Sequence, residues 1–189
     1  MSVGFLPKPR IERHAEEVYE AALEGGMPRD PPVDVEFIVE FILDYGLHLG
    51  ASLPAGVLGS TDGHAKVVYI SDDIPNEGRR RFTIAHEIGH IQMHVTTLVA
   101  RDEQPTLFER PQGPHQDGST EWQADYFASA LLMPRRLLVK HFGETARLGS
   151  AIEPTEVADL FGVSRQAASI RLEDVGMIHR APTGAPFIR

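Results

Sequence analysis

A chain of 189 residues is long enough to bury one substantial core, and its lack of cysteine excludes disulfides and every thiolate metal site, leaving His, Asp and Glu as strong metal ligands. The formal charge of −9 opposes binding to nucleic acid or anionic membranes except through a local basic patch. A protein or peptide partner is the default expectation.

The N-terminal stretch MSVGFLPKPR has no apolar run long enough for a signal sequence, and no segment approaches the roughly 20 apolar residues of a membrane span, so a cytoplasmic protein without a membrane partner is expected. From Pro9 to Leu23 the residues Ile11, Ala15, Val18, Tyr19 and Ala22 form a helical apolar stripe, which Gly25-Gly26 ends. After the breaker MPRDPPVD, Asp34 can cap a second helix with Phe37, Ile38, Phe41, Ile42 and Tyr45 inward and Gly46 closing it. Leu47–Leu53 and Ala65–Ile70 read as strands of a small sheet. The turn-rich VLGSTDGH between them suits a hairpin or an added short strand.

Asn76 offers the cap of a helix running from Arg79 to Val95. Three prolines, two glycines and few large apolar residues predict a long loop over Ala100–Ser119, of the kind that serves as a lid or substrate-binding segment. In STEWQADYFASALLMP, Thr120 and Gln123 match a capping box, and Ala124, Phe127, Ala128, Leu131 and Leu132 form a core face before Pro134. PTEVADLFGVSRQAASIRLEDVGMI carries two short helical patterns joined at Phe161-Gly162-Val163-Ser164, which reads as a helix-turn-helix, and HRAPTGAPFIR follows as a tail.

The chemistry concentrates in RFTIAHEIGHIQMH, Arg81–His94, which holds three of the nine histidines. His86-Glu87-Ile88-Gly89-His90 fits H-E-x-x-H, whose i, i+4 spacing stacks both imidazoles on one helical face with the glutamate beside them. About 0.04 chance matches are expected at this length and composition. The bland alternative is an amphipathic helix whose histidines bind nothing. Against it, Phe82, Ile84, Ala85, Ile88 and Ile91 predict a buried helix, where neutral imidazoles need partners that a metal supplies.

A catalytic zinc takes three protein ligands and keeps one position open. His94 lies about 12 Å along a straight helix from His86, too far to share an ion. Met93 and Thr96 stand where the longer H-E-x-x-H-x-x-G-x-x-H pattern has its glycine and last histidine. Glu121 is the better third ligand, since it opens the next helix with Asp125 at i+4 on the same face. If Glu121 binds the metal and Asp125 accepts the free ring N–H of a histidine ligand, one site accounts for both carboxylates. The competing account of Glu121 is an acidic helix start favoured by the dipole. His94 is then expected behind the ligands, facing substrate or on the surface; it, Tyr126 and His115 are candidate substrate or oxyanion contacts, with core packing the alternative for Tyr126 and a mobile loop position for His115. Zinc is the usual occupant of such a site, and manganese or iron is compatible with the same donors.

FTIAHEIGH, followed after a variable loop by EWQADYFASALLMP and later by VADLFGVSRQAASIRL, resembles the ImmA/IrrE family of zinc-dependent metallopeptidases over roughly Val33 to Ile178. The resemblance implies that His86, His90 and Glu121 are metal ligands, that Glu87 is the catalytic base, and that Asp125 stands behind the ligands where the family has Asn or Asp. It implies a fold that is α+β and mainly helical. A zincin-like core with N-terminal helices would occupy 1–145, a helix-turn-helix-like region 146–180 and a tail 181–189. Such proteins cleave a repressor of the XRE helix-turn-helix type, so the resemblance implies that partner. Longer IrrE-like members carry a further sensor-like domain, and here sensing is expected to come from another protein or from the long loop.

A different reading makes the protein a DNA-binding regulator, with Ser164 capping a recognition helix, Arg165, Gln166, Ser169 and Arg171 facing bases, and the metal structural or vestigial. From Glu153 to Arg180 five acidic residues stand against three arginines, so direct DNA binding is not expected. A closed structural site normally has four protein ligands and would leave Glu87 without a task.

Overall fold

The computed structural model describes residues 5–95, 108–111, 120–180 and 186–187. The fold is α+β and mainly helical. Helix α1 (Lys8–Glu24) starts with proline in its first turn, where a missing N–H costs nothing, and buries Ile11, Ala15, Val18, Tyr19 and Ala22, the stripe read from the sequence. Asp34 caps α2 (Val35–Phe37) by accepting the Phe37 N–H at 2.9 Å. The chain then continues as a π-helical turn over Ile38–Ile42. That wider turn breaks the 3.6-residue face. Ile38 and Val39 are buried, whereas Phe41, expected inward, is 72% exposed and stacks on Phe37 with ring centroids 5.1 Å apart. Gly46, expected to close this helix, opens a strand instead.

Four strands form the sheet: β1 (Gly46–Ala51), β2 (Val57–Asp62), β3 (Val67–Ser71) and β4 (Phe108–Pro111), in the order β1-β3-β2-β4. β1 is parallel to β3, and the other two pairings are antiparallel. The turn-rich VLGSTD is thus a full inner strand, buried from Val57 to Thr61. Its hairpin to β3 closes on Asp62, whose carboxylate accepts the N–H groups of His64 and Ala65, each at 2.9 Å. β4 falls inside the stretch expected to be loop, and the remainder of that stretch, with His115, lies outside the described residues. Gly59 pairs with Ile70 and Thr61 with Val68. Directly opposed residues share a face, and Val68 and Ile70 are fully buried, so Gly59 and Thr61 face the core.

Asn76 caps α3 (Glu77–His90) by accepting the Arg79 N–H at 2.9 Å. Every residue from Thr83 to His90 is buried. A π-helical turn, Ile91–Val95, extends the helix. Helix α4 (Thr120–Leu132) buries the expected face and more, including Gln123 and Tyr126. Thr120 already belongs to this helix instead of standing ahead of it as a cap. A Cβ on Gly89 would lie 3.1 Å from Phe127 Cδ1 and 3.2 Å from Ala124 Cα, which shows how closely α3 and α4 approach.

Beyond Pro134 follow α5 (Arg135–Arg147), α6 (Pro154–Phe161) and α7 (Arg165–Asp174), and then β5 (His179–Arg180) pairs with β6 (Pro186–Phe187) in part of the expected tail. Between α6 and α7, Gly162 takes the left-handed conformation (φ 64°) and Ser164 caps α7 by accepting the Ala167 N–H at 3.1 Å. One apolar cluster joins Ile11, Ile84, Ile88, Phe127, Leu131, Phe161 and Leu172, so the core continues across the expected boundary at 145/146. Among the described residues, no helix is long and apolar enough to cross a membrane.

Candidate metal centre

α3 presents His86 and His90 one turn apart, fully buried, with their Nε2 atoms 3.0 Å from each other. The first turn of α4 adds Glu121, whose Oε2 lies 3.3 Å from His86 Nε2 and whose Oε1 lies 3.2 Å from His90 Nε2. One ligand atom from each of the three residues falls within 4.8 Å of the others. Ligands at about 2.0–2.1 Å around a tetrahedral ion are separated by about 3.3–3.4 Å, close to this triangle.

The donor set itself calls for a cation. Asp125 Oδ1 lies 2.8 Å from His86 Nδ1, so that nitrogen carries the ring proton and a neutral His86 turns a bare Nε2 toward the Glu121 carboxylate. Lone pairs converging on one point need positive charge between them, from protons or a metal. Burial would raise the pKa of Glu121, but with protons supplying that positive charge the hydrogen bonds and charges of His86 and His90 outweigh it and hold the carboxyl well below the usual range. Two imidazoles and one carboxylate suit zinc and other first-row divalent ions.

Glu87, one residue after the first histidine, is fully buried. Thr61 of β2, also fully buried, donates its hydroxyl to Glu87 Oε2 at 2.6 Å. A Cβ on Gly59 would sit 2.6 Å from Glu87 Oε1 and 2.8 Å from Thr83 Cγ2, so the strand can cross this part of α3 only with glycine there. Neither residue was singled out by the sequence reading. The signal that could have found them is period two: Gly59 and Thr61 stand two apart on one strand face.

The remaining expected contacts are placed otherwise. His94 is fully buried behind His90, with the two Nδ1 atoms 2.9 Å apart, so of its expected places it takes the one behind a ligand and not the one on the surface. Burial, reinforced by the charge of His90, pushes the His94 imidazole down to about 3 and so favours the neutral ring. Tyr126 is engaged elsewhere, donating its hydroxyl to Glu12 of α1 at 2.9 Å. Arg171, assigned to bases in the DNA-binding reading, is fully buried; it pairs with Glu12 and donates to the Met133 carbonyl at 3.1 Å.

Residues 48–173 match the family model of the IrrE N-terminal-like domain, Peptidase_M78. The chain belongs to this family. The family is metallopeptidase-like. A Mycobacterium tuberculosis transcriptional regulator of solved structure has a similar fold, with a TM-score of 0.58 at 18% identity over 85% of this chain. The chain spans 55% of that protein's length. No curated protein matches the sequence. In this IrrE-like domain, then, the sheet supplies Gly59 and Thr61, α3 supplies His86, Glu87 and His90, and α4 supplies Glu121 and Asp125.

Proposed function

We propose that the protein is a zinc-dependent endopeptidase of the cytoplasm that cleaves an XRE-type repressor and so releases genes for stress response or mobile-element transfer. In this reading His86, His90 and Glu121 hold the metal and Glu87 is the general base. The observation that carries it is the meeting of two imidazole Nε2 atoms and a carboxylate, 3.0 to 3.3 Å apart, next to the buried Glu87. A bound divalent cation supplies Lewis-acid polarisation of the scissile carbonyl and lowers the pKa of water beside it.

The chain's own groups do the rest. Asp125 accepts from His86 Nδ1 and so keeps the Nε2 lone pair aimed at the metal position. Thr61 occupies Glu87 Oε2, which leaves Oε1 as the oxygen that takes a proton and returns it to the leaving amine. The XRE-type substrate is inherited from the family resemblance. Zinc-loaded protein incubated with purified XRE-type repressors of its own genome should yield discrete fragments. Glu87→Gln should bind zinc and yield none, and full cleavage by that variant would refute the assignment of the base.

The similar solved structure is described as a transcriptional regulator, so a DNA-binding reading is the competitor. Burial of Arg171 weighs against it, since of the four residues assigned to bases only Arg165 and Gln166 are exposed, and Ser169 is half-buried. Sequence-specific, salt-sensitive gel shifts would favour the competitor.

A further inference from the structure

The two edges of the sheet differ in character. β4 reads Phe108-Glu109-Arg110-Pro111, with two charges and a proline, the devices by which an edge strand resists further pairing. β1 has neither. From Tyr45 to Pro54 no residue is acidic or basic apart from neutral His48, and Asp44, just before this run, is paired with Lys66 at 2.9 Å. In a chain of net charge −9 a second copy is repelled overall, and a neutral strip is what lets one approach.

The backbone of β1 is open along that edge. Gly46 donates its N–H to the Lys66 carbonyl at 2.8 Å, toward β3. Peptide groups alternate along a strand, so those of His48 also face β3, whereas those of Leu47 and Leu49 face outward. Leu47 and Leu49 lie opposite Val68 and Ile70 and share their core-facing side, yet Leu49 is 42% exposed because β1 is the last strand. His48 lies opposite Tyr69 on the other face, with ring centroids 5.8 Å apart.

This edge also reads the same in both directions: Gly46-Leu47-His48-Leu49-Gly50. We propose that β1 docks a second copy of the chain, the two β1 strands pairing antiparallel about a two-fold axis at His48. A two-fold axis sets the same surface of each copy against itself, and strands so related are antiparallel. Leu47 then faces Leu49 of the second copy, their outward N–H and C=O groups bond to each other, and their side chains meet on the core-facing side. The two His48 residues form the non-hydrogen-bonded pair, with Cα atoms about 4.5 Å apart. An axis at Leu47 would need Tyr45, whose N–H is already given to the Val39 carbonyl at 3.0 Å. An axis at Leu49 would run into the irregularity between Leu49 and Ala51, where Gly50 is left-handed at φ 76°. That glycine also keeps the pairing short. A contact of this length lies below the roughly 1,200 Å² of a standard interface, so the dimer is weak and concentration-dependent. β3 separates β1 from β2, so the interface stands apart from the metal position and does not depend on the peptidase reading.

Analytical ultracentrifugation over a concentration series tests this, with a chelator present so that no ion bridges the two imidazoles. The mass should rise from that of one chain toward that of two. His48→Lys and His48→Glu, each setting its charge against its own copy, should weaken association by about 10-fold or more, and an equimolar mixture of the two should restore it. Because the chain has no cysteine, His48→Cys should form a disulfide-linked dimer under mild oxidation, while Thr155→Cys, at an exposed position of α6, should not. A wild type that stays monomeric up to about 0.5 mM overturns the proposal. So does a dimer that neither charge variant weakens, or a mixture that recovers no association, since the axis then lies elsewhere. Circular dichroism checks folding; should a charge variant not fold, the wild-type series and the two cysteine variants decide.

Discussion

Gly59→Ala tests the contact between the sheet and the motif helix. The added Cβ would meet Glu87 Oε1 at 2.6 Å and Thr83 Cγ2 at 2.8 Å, against ordinary contacts of 3.4 Å or more, so the strand or the side chains must yield by about 0.6 to 0.8 Å. Thr83 and Glu87 lie one turn apart on the face of α3 that β2 covers, and both are buried, so neither has free space to enter. If Glu87 moves, its bond to Thr61, 2.6 Å long, is stretched or broken. A hydrogen bond to a charged group is worth about 1.5–3 kcal/mol. If the strand lifts instead, overpacking costs about 1–3 kcal/mol. Both routes converge on about 2 kcal/mol, or a fall in Tm of about 4–8 °C for a chain of this size.

The same displacement should reach the chemistry. A misplacement near 1 Å costs roughly 100-fold in rate when the displaced group must meet its reactant in a fixed orientation. Gly59→Ala should therefore lower kcat by about 10- to 100-fold while zinc affinity changes little, because His86, His90 and Glu121 are not among the atoms it meets. Thermal unfolding of the metal-free protein, zinc titration and repressor cleavage read these three quantities separately. An alanine variant with unchanged Tm and unchanged kcat would refute the close packing of β2 on Glu87.

Thr61→Val keeps the shape of the side chain and removes the donor to Glu87, so kcat should drop by about 10-fold or more with KM unchanged, and Thr61→Ser should recover most of it. A valine variant as active as the wild type would show that the hydroxyl does nothing for the base. Glu121→Gln should weaken zinc binding by well over 10-fold in chelator competition, since the carboxylate faces both Nε2 atoms; affinity equal to wild type would exclude it as a ligand. Arg171→Met strips Glu12 of its buried partner and should cost about 2 kcal/mol, below the usual figure for a buried pair because the Glu12 side chain is 31% exposed. Burial would raise the Glu12 carboxyl, but hydrogen bonds from Arg171 and Tyr126 and the charges of Arg171 and Arg135 outweigh it and lower its pKa. A carboxyl lowered on folding stabilises above its unfolded value of about 4.3 and loses that contribution as the pH falls through the folded value. The stability gap between wild type and Arg171→Met should accordingly be full at pH 7 and shrink below about pH 4; a gap independent of pH would show that the loss is one of packing alone.

The parts of the fold legible in the sequence are those whose pattern is local. α1 announces itself by five apolar residues at helical spacing, and the three caps Asp34, Asn76 and Ser164 each accept the N–H expected of them. β2 was harder to read because Gly59, Ser60 and Asp62 are turn formers by propensity, yet at position 59 a glycine is what the space beside Glu87 demands. Phe41 misled for another reason. Its position follows a helical period that a π-helical turn interrupts, and nothing in IVEFI signals that extra residue. At the site, His86 and His90 were visible from spacing, and Glu121 from a carboxylate pattern and a family likeness. Asp125 was legible too, one turn after Glu121, and lies against His86 Nδ1 at 2.8 Å, whereas Thr61 beside Glu87 comes from a strand contact that the helix motif does not encode.

Those contacts explain why the candidate metal site and the core are one structure. The three potential ligands come from two helices that do not adjoin in sequence, and their separation is set by Gly89 against Phe127 and Ala124. From the opposite side α4 is held by Tyr126, which shares Glu12 with Arg171 of α7, so the helix pair expected to be a module of its own anchors the helix that carries Glu121. A change that loosens α7 should therefore be felt at Glu121 before it is felt at the two histidines, which lie on a single helix and keep their spacing whatever α4 does. Severing the chain before α6 would accordingly strip the metal position of its third ligand even if α3 stayed folded.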